Sequence, residues 1–161
     1  MQNLGMIKKK FLHIPPIFEN DNSINKNRTY GDKFLTNLKK RRNVVYFGHL
    51  ARWDKQKNHQ FLIQSFGKIK SKNFKIIMAG KNINKDNLML INKINQSKLY
   101  KKIILLDNIE NIDLFFRKID INLLPSLGES FPLSLCEAML NKVPSIVSDV
   151  GDNRNIVGNT V

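Results

Sequence analysis

The chain has 161 residues, 42% of them apolar and 25% charged, with a formal net charge of +14 and a single cysteine. That length holds one α/β domain with a buried core rather than two ordinary domains, and the composition excludes a disordered chain. No stretch approaches the roughly 18 apolar residues of a spanning helix; the early apolar run, Phe11 to Phe18, is interrupted by His13, Pro15 and Pro16 and does not read as a secretory h-region; and the lone Cys136 excludes an internal disulfide and fits a reducing cytoplasm.

Residues 1–42 are rich in Asn, Lys and Pro and end in Lys39-Lys40-Arg41-Arg42. They read as a linker of low order, or the remnant of a preceding domain. From residue 43 the pattern becomes regular. Val44 to Phe47 is a buried strand closed by Gly48. Asn58 caps a helix to about Lys70, with Phe61, Leu62, Ser65, Phe66 and Ile69 on its inner face. Phe74 to Ala79 is a second strand, ended by Gly80. Asp86 to Ser97 is a helix with Leu90, Ile91 and Ile94 inward. Ile103 to Leu106 is a third strand and Asn111 to Lys118 a short helix. Ile119 to Leu124 is a fourth strand, Phe131 to Leu140 a helix, and Val143 to Val147 a fifth strand.

Five apolar strands alternating with helices predict an α/β fold, a Rossmann-like parallel sheet with helices on both faces. In such sheets ligands bind beyond the carboxyl ends of the strands, so the loops after Phe47, Ala79, Leu106, Leu124 and Val147 are the candidate chemistry. The first of these carries Arg52 and Lys57 ahead of a helix N-terminus. Arg grips phosphate oxygens bidentately, Lys adds a point charge, and the helix end favours anions. Together they suit a diphosphate cradle without metal, although on charge alone they read as two surface bases among 27.

The loop after strand four leads into a helix and places Glu129 near its start and Glu137 about two turns on, ~12 Å along if both were helical. That separation excludes a carboxylate dyad sharing one proton. It suits two acceptors for hydroxyls at distant parts of one elongated ligand, with helix-start amides facing the same crevice. His49 and His59 lie near the phosphate loop and read as loop or helix-cap residues, since no His/Cys/Asp cluster has metal-ligand spacing. Trp53 reads as packing, and Cys136 and Met139 as core.

The net charge divides evenly, +7 in residues 1–42 and +7 in the remainder, and accompanies 21 Asn and 19 Ile. Along the sequence the bases are scattered, which reads as a lysine-biased solvated surface. Nucleic-acid binding is the weaker expectation; peripheral attraction to an anionic membrane stays open.

These residues resemble the group 1, or family 4, retaining glycosyltransferases of GT-B architecture. Gly-Glu-Ser-Phe-Pro-x4-Glu-Ala-Met, from Gly128 to Met139, is similar to their Glu-x7-Glu signature. Ala51-Arg52-Trp53-Asp54-x-Gln56-Lys57-Asn58 is similar to their donor-phosphate loop, and Ala79-Gly80, Leu124-Pro125-Ser126 and the segment Ser148 to Gly158 match lesser landmarks in order. The resemblance implies half of a GT-B fold that binds a nucleotide diphosphate sugar and transfers the sugar to an acceptor with retention, needing no cofactor or metal. It implies Arg52, Lys57 and Glu129 as catalytic residues. Arg52 and Lys57 would hold the diphosphate, and Glu129, Ser130, Phe131 and Pro132 the sugar. Glu137 would hold the ribose, and Asp107, Asn108 and Ile109 would flank the base. Ser130 departs from the family's usual Gly. The expected domains are a remnant or linker at 1–42 and an incomplete donor-binding domain at 43–161, as from a split gene, a truncated reading frame, or one subunit of an enzyme whose acceptor domain is on a separate chain. The expected setting is the cytoplasm or the inner face of the membrane, in cell-surface polysaccharide assembly. The alternatives are a non-catalytic nucleotide-sugar-binding fragment and a basic nucleic-acid-binding α/β domain.

Overall fold

The computed structural model describes residues 29–71 and 73–158. Its strands are β1 (Val45–Leu50), β2 (Phe74–Ala79), β3 (Ile103–Leu105), β4 (Ile121–Leu124) and β5 (Ser145–Val147). Its helices are α1 (Tyr30–Asn37), α2 (His59–Gly67), α3 (Leu88–Gln96), α4 (Ile112–Arg117), α5 (Leu133–Leu140) and α6 (Asn153–Val157). All strands are parallel, in the order β3-β2-β1-β4-β5. The chain thus builds outward from β1 in one direction and resumes at β4 on its other side. The gap between the carboxyl ends of β1 and β4 is the topological switch point where α/β sheets bind ligands. Among the described residues no helix is long and apolar enough to cross a membrane.

The central strands are apolar on both faces because each face is covered. In β2, Ile76 and Met78 join Leu62, Ile63 and Phe66 of α2 and Leu90 and Ile94 of α3 in one cluster. Ile77 and Ala79 face the opposite way, into a cluster with Leu35 of α1, Phe115 and Phe116 of α4, and Ala138 of α5. This is the period-2 alternation of a strand buried twice.

Three expectations are corrected. Residues 29–42 are not a low-order linker; residues 1–28 lie outside the described part. Helix α1 opens with a capping box in which Thr29 Oγ1 accepts from the Asp32 amide at 3.1 Å and Asp32 Oδ2 accepts from the Thr29 amide at 3.1 Å. The Asp32 carboxylate also accepts from the amides of Glu110 at 3.3 Å and Asn111 at 3.0 Å, tying α1 to the start of α4. Burial alone would raise the Asp32 pKa, but the hydrogen bonds from Thr29, Asn111 and Glu110 outweigh it and hold it below the usual carboxylate value.

Gly48 does not end β1. The strand runs on to Leu50, and Gly48 lies within it because a side chain there would overlap Ile119. Asn58 does not cap α2 with its side chain; it sits in the left-handed region at φ 53°, after a 3₁₀ turn over Lys55–Lys57. The buried stripe of α2 is correspondingly shifted to His59, Leu62, Ile63 and Phe66, leaving Phe61 57% exposed. The cause is the buried His59, which takes the first inward position of the i, i+3, i+4, i+7 pattern.

Candidate active site

Three loops meet at the carboxyl edge around the switch point. The first, residues 51–58 after β1, is anchored to the loop after β2 by the Ala51 amide on the Ala79 carbonyl at 2.9 Å and the Trp53 amide on the Lys81 carbonyl at 2.8 Å. Gly80 allows this approach: it sits at φ 134°, where a side chain would run into the Ala51 carbonyl. Asp54 turns the loop by accepting from the Gln56 amide at 2.8 Å.

The second loop follows β4 and is stitched to the first. Gln56 Nε2 donates to the Gly128 carbonyl at 2.6 Å, the Leu127 amide donates to the Gln56 carbonyl at 2.8 Å, and Asn58 Nδ2 donates to the Pro125 carbonyl at 3.1 Å. The third, after β5, is held by Ser148 Oγ donating to the Ser126 carbonyl at 2.5 Å. Buried Asn153 donates to the Ser148 carbonyl at 2.8 Å. Gly151, at φ 54°, packs so closely on the Glu129 carbonyl that any side chain would overlap it.

This stitching brings two of the expected residues together. Lys57 Nζ lies 2.7 Å from Glu129 Oε1, with the Glu129 side chain 6% exposed and the Lys57 side chain 19% exposed. Ser126 Oγ donates to the same carboxylate oxygen at 2.6 Å. Glu129 is thus oriented from two sides, one a cation. Arg52 is not part of that pair. It stands at the rim, its side chain 60% exposed and its guanidinium 3.2 Å from Asp54.

The other expected residues are spread along the edge. Ser130 is exposed, Phe131 half-buried and Pro132 buried, just ahead of α5. Glu137 is the fifth residue of α5, half-buried, and burial raises its pKa above the usual value. Of the loop after β3, Asn108 is exposed, while Asp107 Oδ2 accepts from Asn84 Nδ2 at 3.0 Å and Ile109 packs in the α1–α4 cluster. Asp107 and Ile109 therefore hold loops together. Ser126 and Gln56 are site-forming residues for which the sequence suggested no role. The signal available for Ser126 was its place three residues before Glu129, in the turn leaving β4.

His49 and His59 are not surface loop or cap residues. Both are buried, 0% and 2% exposed, with rings 4.7 Å apart edge to face, and Trp53 lies 5.0 Å from His59. His49 Nδ1 is 2.8 Å from the Leu123 carbonyl, whereas His49 Nε2 and both His59 nitrogens lack a hydrogen bond. The backbone at Ala51 and Asp54 lies beside the His59 ring, enough to favour its charged form slightly but not in hydrogen-bond geometry. Desolvation lowers the pKa of His49 to about 4 and of His59 to about 3, so both rings are neutral in the fold at neutral pH. Among the described residues no group of three or more His, Cys, Asp or Glu is placed to hold a metal ion.

Comparison with known proteins agrees with this fold. A family model described as glycosyl transferases group 1 matches residues 41–161. The chain is 31% identical over 110 residues, 65% of its length, to EpsF of Bacillus subtilis (strain 168). It is also 31% identical over 108 residues, 66% of its length, to the O-antigen biosynthesis glycosyltransferase WclY of Escherichia coli. It spans 27% and 29% of those two proteins. Among solved structures, HepE of Anabaena, crystallised with UDP and glucose, superposes with a TM-score of 0.67 at 22% identity over 74% of this chain and 33% of its own. A glycosyltransferase from Rickettsia africae superposes with a TM-score of 0.67 at 22% identity, covering 81% of this chain and 39% of its own. The five-stranded parallel sheet flanked by helices is that of these GT-B structures, and the chain belongs to the group 1 glycosyl transferases.

Proposed function

We propose that this chain is the donor-binding domain of a retaining glycosyltransferase that takes a nucleotide diphosphate sugar. The observation that carries the reading is the Lys57–Glu129–Ser126 constellation at the switch point, a nearly buried ammonium and carboxylate at the mouth of a ligand crevice. A diphosphate entering there exchanges the Lys57–Glu129 pair for a Lys57–phosphate contact, and frees Glu129 to accept hydroxyl hydrogens from the sugar. Arg52, on the rim of the same loop, closes on the phosphates in place of Asp54. HepE, with the same fold, was crystallised with UDP-glucose, which supports this class of donor.

In the reaction the bond between the sugar's anomeric carbon and the phosphate oxygen breaks, and an acceptor hydroxyl oxygen bonds to that carbon on the same face. Negative charge accumulates on the departing nucleoside diphosphate. Arg52 and Lys57 stabilise it there, so no metal ion is needed for that role. Glu137, half-buried on α5, accepts from the ribose hydroxyls. The acceptor is presented across the crevice by a second domain.

Isothermal titration of the chain with UDP-glucose and GDP-mannose, with and without a chelator, tests the donor step. The expected result is binding to one of them that survives chelation and is lost in K57A and E129A. Binding that vanishes with the chelator, or persists in both variants, would falsify the assignment. Binding with no transfer when a separately supplied acceptor domain is added would make the chain a non-catalytic module.

A further inference from the structure

Bases that look scattered along the sequence are collected by the fold. Every helix-to-strand connection of a parallel sheet returns to the amino edge of the strands, opposite the crevice. The five segments at that edge are residues 39–44, 68–75 (which includes the first two residues of β2), 98–102, 118–120 and 141–144. Their described residues include twelve Lys or Arg and one acid, Asp120. The crevice-edge loops, 51–58, 80–87, 106–111, 125–132 and 148–152, carry five bases and seven acids. Among the described residues the excess of positive charge is therefore concentrated at one end of the domain, not spread over its whole surface.

The bases at that end are close enough to perturb one another across segments. Burial, followed by the charges of Lys102 and Arg41, lowers the pKa of Lys75. The one acid, Asp120, is already engaged by Lys40 and by the Tyr46 amide at 2.7 Å. Exposed apolar side chains lie among the cations: Tyr100 is 61% exposed, Ile69 45% and Val45 41%. A hollow of about 520 Å³ opens on the same end between residues 40–45 and Asp120.

We infer that the amino edge of the sheet is a docking face for anionic phospholipid headgroups. Ten of the twelve bases are Lys, a point charge on a long apolar stem, which suits a diffuse, mobile sheet of phosphates. Interspersed Tyr and Ile suit the interface beneath them. A duplex nucleic acid is a poorer fit, because the segments at this edge are short turns and, among the described residues, no helix or ribbon projects from it to enter a groove. Docked this way, the six residues of β1 hold the crevice about 20 Å from the lipid surface and facing away from it. The inference does not rest on the donor reading, since none of these bases is at the crevice.

Co-sedimentation of the full chain with phosphatidylcholine vesicles, and with vesicles containing about 30% phosphatidylglycerol, tests this. At about 0.1 M salt the expected result is binding to the anionic vesicles alone, falling steeply by about 0.5 M salt as screening shortens. Each base near the surface contributes about a fivefold gain in partitioning. K68Q/K70Q/K101Q, which changes three exposed side chains, should therefore weaken binding roughly 100-fold. K55Q/K81Q/K85Q removes the same charge from the crevice end and should bind as the parent does. Equal losses in the two triple variants, or equal binding to both vesicle types, would overturn the inference. So would tighter binding to a duplex oligonucleotide than to anionic vesicles at equal salt.

Discussion

The buried histidine pair makes this domain sensitive to mild acid, and the sign and size follow from its burial. An unfolded His takes a proton near pH 6.5, whereas in the fold His49 does so at about 4 and His59 at about 3, both because desolvation penalises the cation. Between those values the unfolded chain binds more protons than the native one, so stability falls as pH falls. The loss begins near pH 6.5 and saturates for each ring only below its folded value. Between pH 7 and 5 each ring contributes about 2 kcal/mol of loss, roughly 4 kcal/mol for the pair, against a typical total of 5–15. Asp32, with its lowered pKa, adds nothing in that window; its stabilisation is lost only at lower pH. Glu137, raised by burial, acts in the opposite sense and offsets part of the loss. Urea unfolding followed by the fluorescence of Trp53, the single tryptophan and a neighbour of His59, measures this directly at pH 7, 6 and 5. H49N/H59Q should be less stable at pH 7 yet nearly flat across the same range. A parent whose stability changes by less than about 1 kcal/mol, or a variant that keeps the full slope, would refute the account.

Three further outcomes test how the site and its supports are built. E129Q leaves the Lys57 ammonium largely buried without its counter-charge and should cost about 2–3 kcal/mol in urea unfolding, below the upper range for breaking such pairs because Lys57 retains some exposure. G151A must place a side chain at φ 54° against the Glu129 carbonyl; a loss of at least ~2 kcal/mol or displacement of the loop is expected, read as a lowered thermal midpoint together with weakened UDP-glucose binding. L35A empties a fully buried position in α1 and should cost about 2–5 kcal/mol. A cost under about 0.5 kcal/mol would mean that α1 is dispensable to the domain.

The order of strands and helices was legible because the central strands are buried on both faces and so read as unbroken apolar runs. The edges of elements were less so, for reasons outside the local sequence. Gly48 resembles a strand end, and only Ile119, 71 positions away, explains its place inside β1. Helix α1 was hidden by the Asn- and Lys-rich segment around it. Yet Thr29 and Asp32 have capping-box spacing, and Leu35 is its buried residue. The site was legible at the level of loops: parallel strands put Arg52, Lys57, Glu129 and Ser130 at one edge whatever the details. Which of them meet was not. The Lys57–Glu129 contact depends on Gln56 and Asn58 reaching across to Gly128 and Pro125, and the histidine pair depends on a 3₁₀ turn that folds residue 59 back beneath residue 49.

One topological fact lies behind both the site and the charge distribution. In an all-parallel sheet every strand-to-helix loop opens on the crevice, and every helix-to-strand loop opens on the opposite edge. Residues separated along the chain are thereby sorted by which side of a strand they occupy, not by their distance in sequence. Lys57 precedes a helix and joins Glu129, which precedes another. Arg41, Lys75 and Lys102, each beside a strand's start, come together at the far edge, where among the described residues only Asp120 opposes them. A count of lysines over the whole chain averages these two populations and hides both. Separating them by edge gives a nearly balanced ligand crevice at one end of the domain and a concentrated cationic surface at the other.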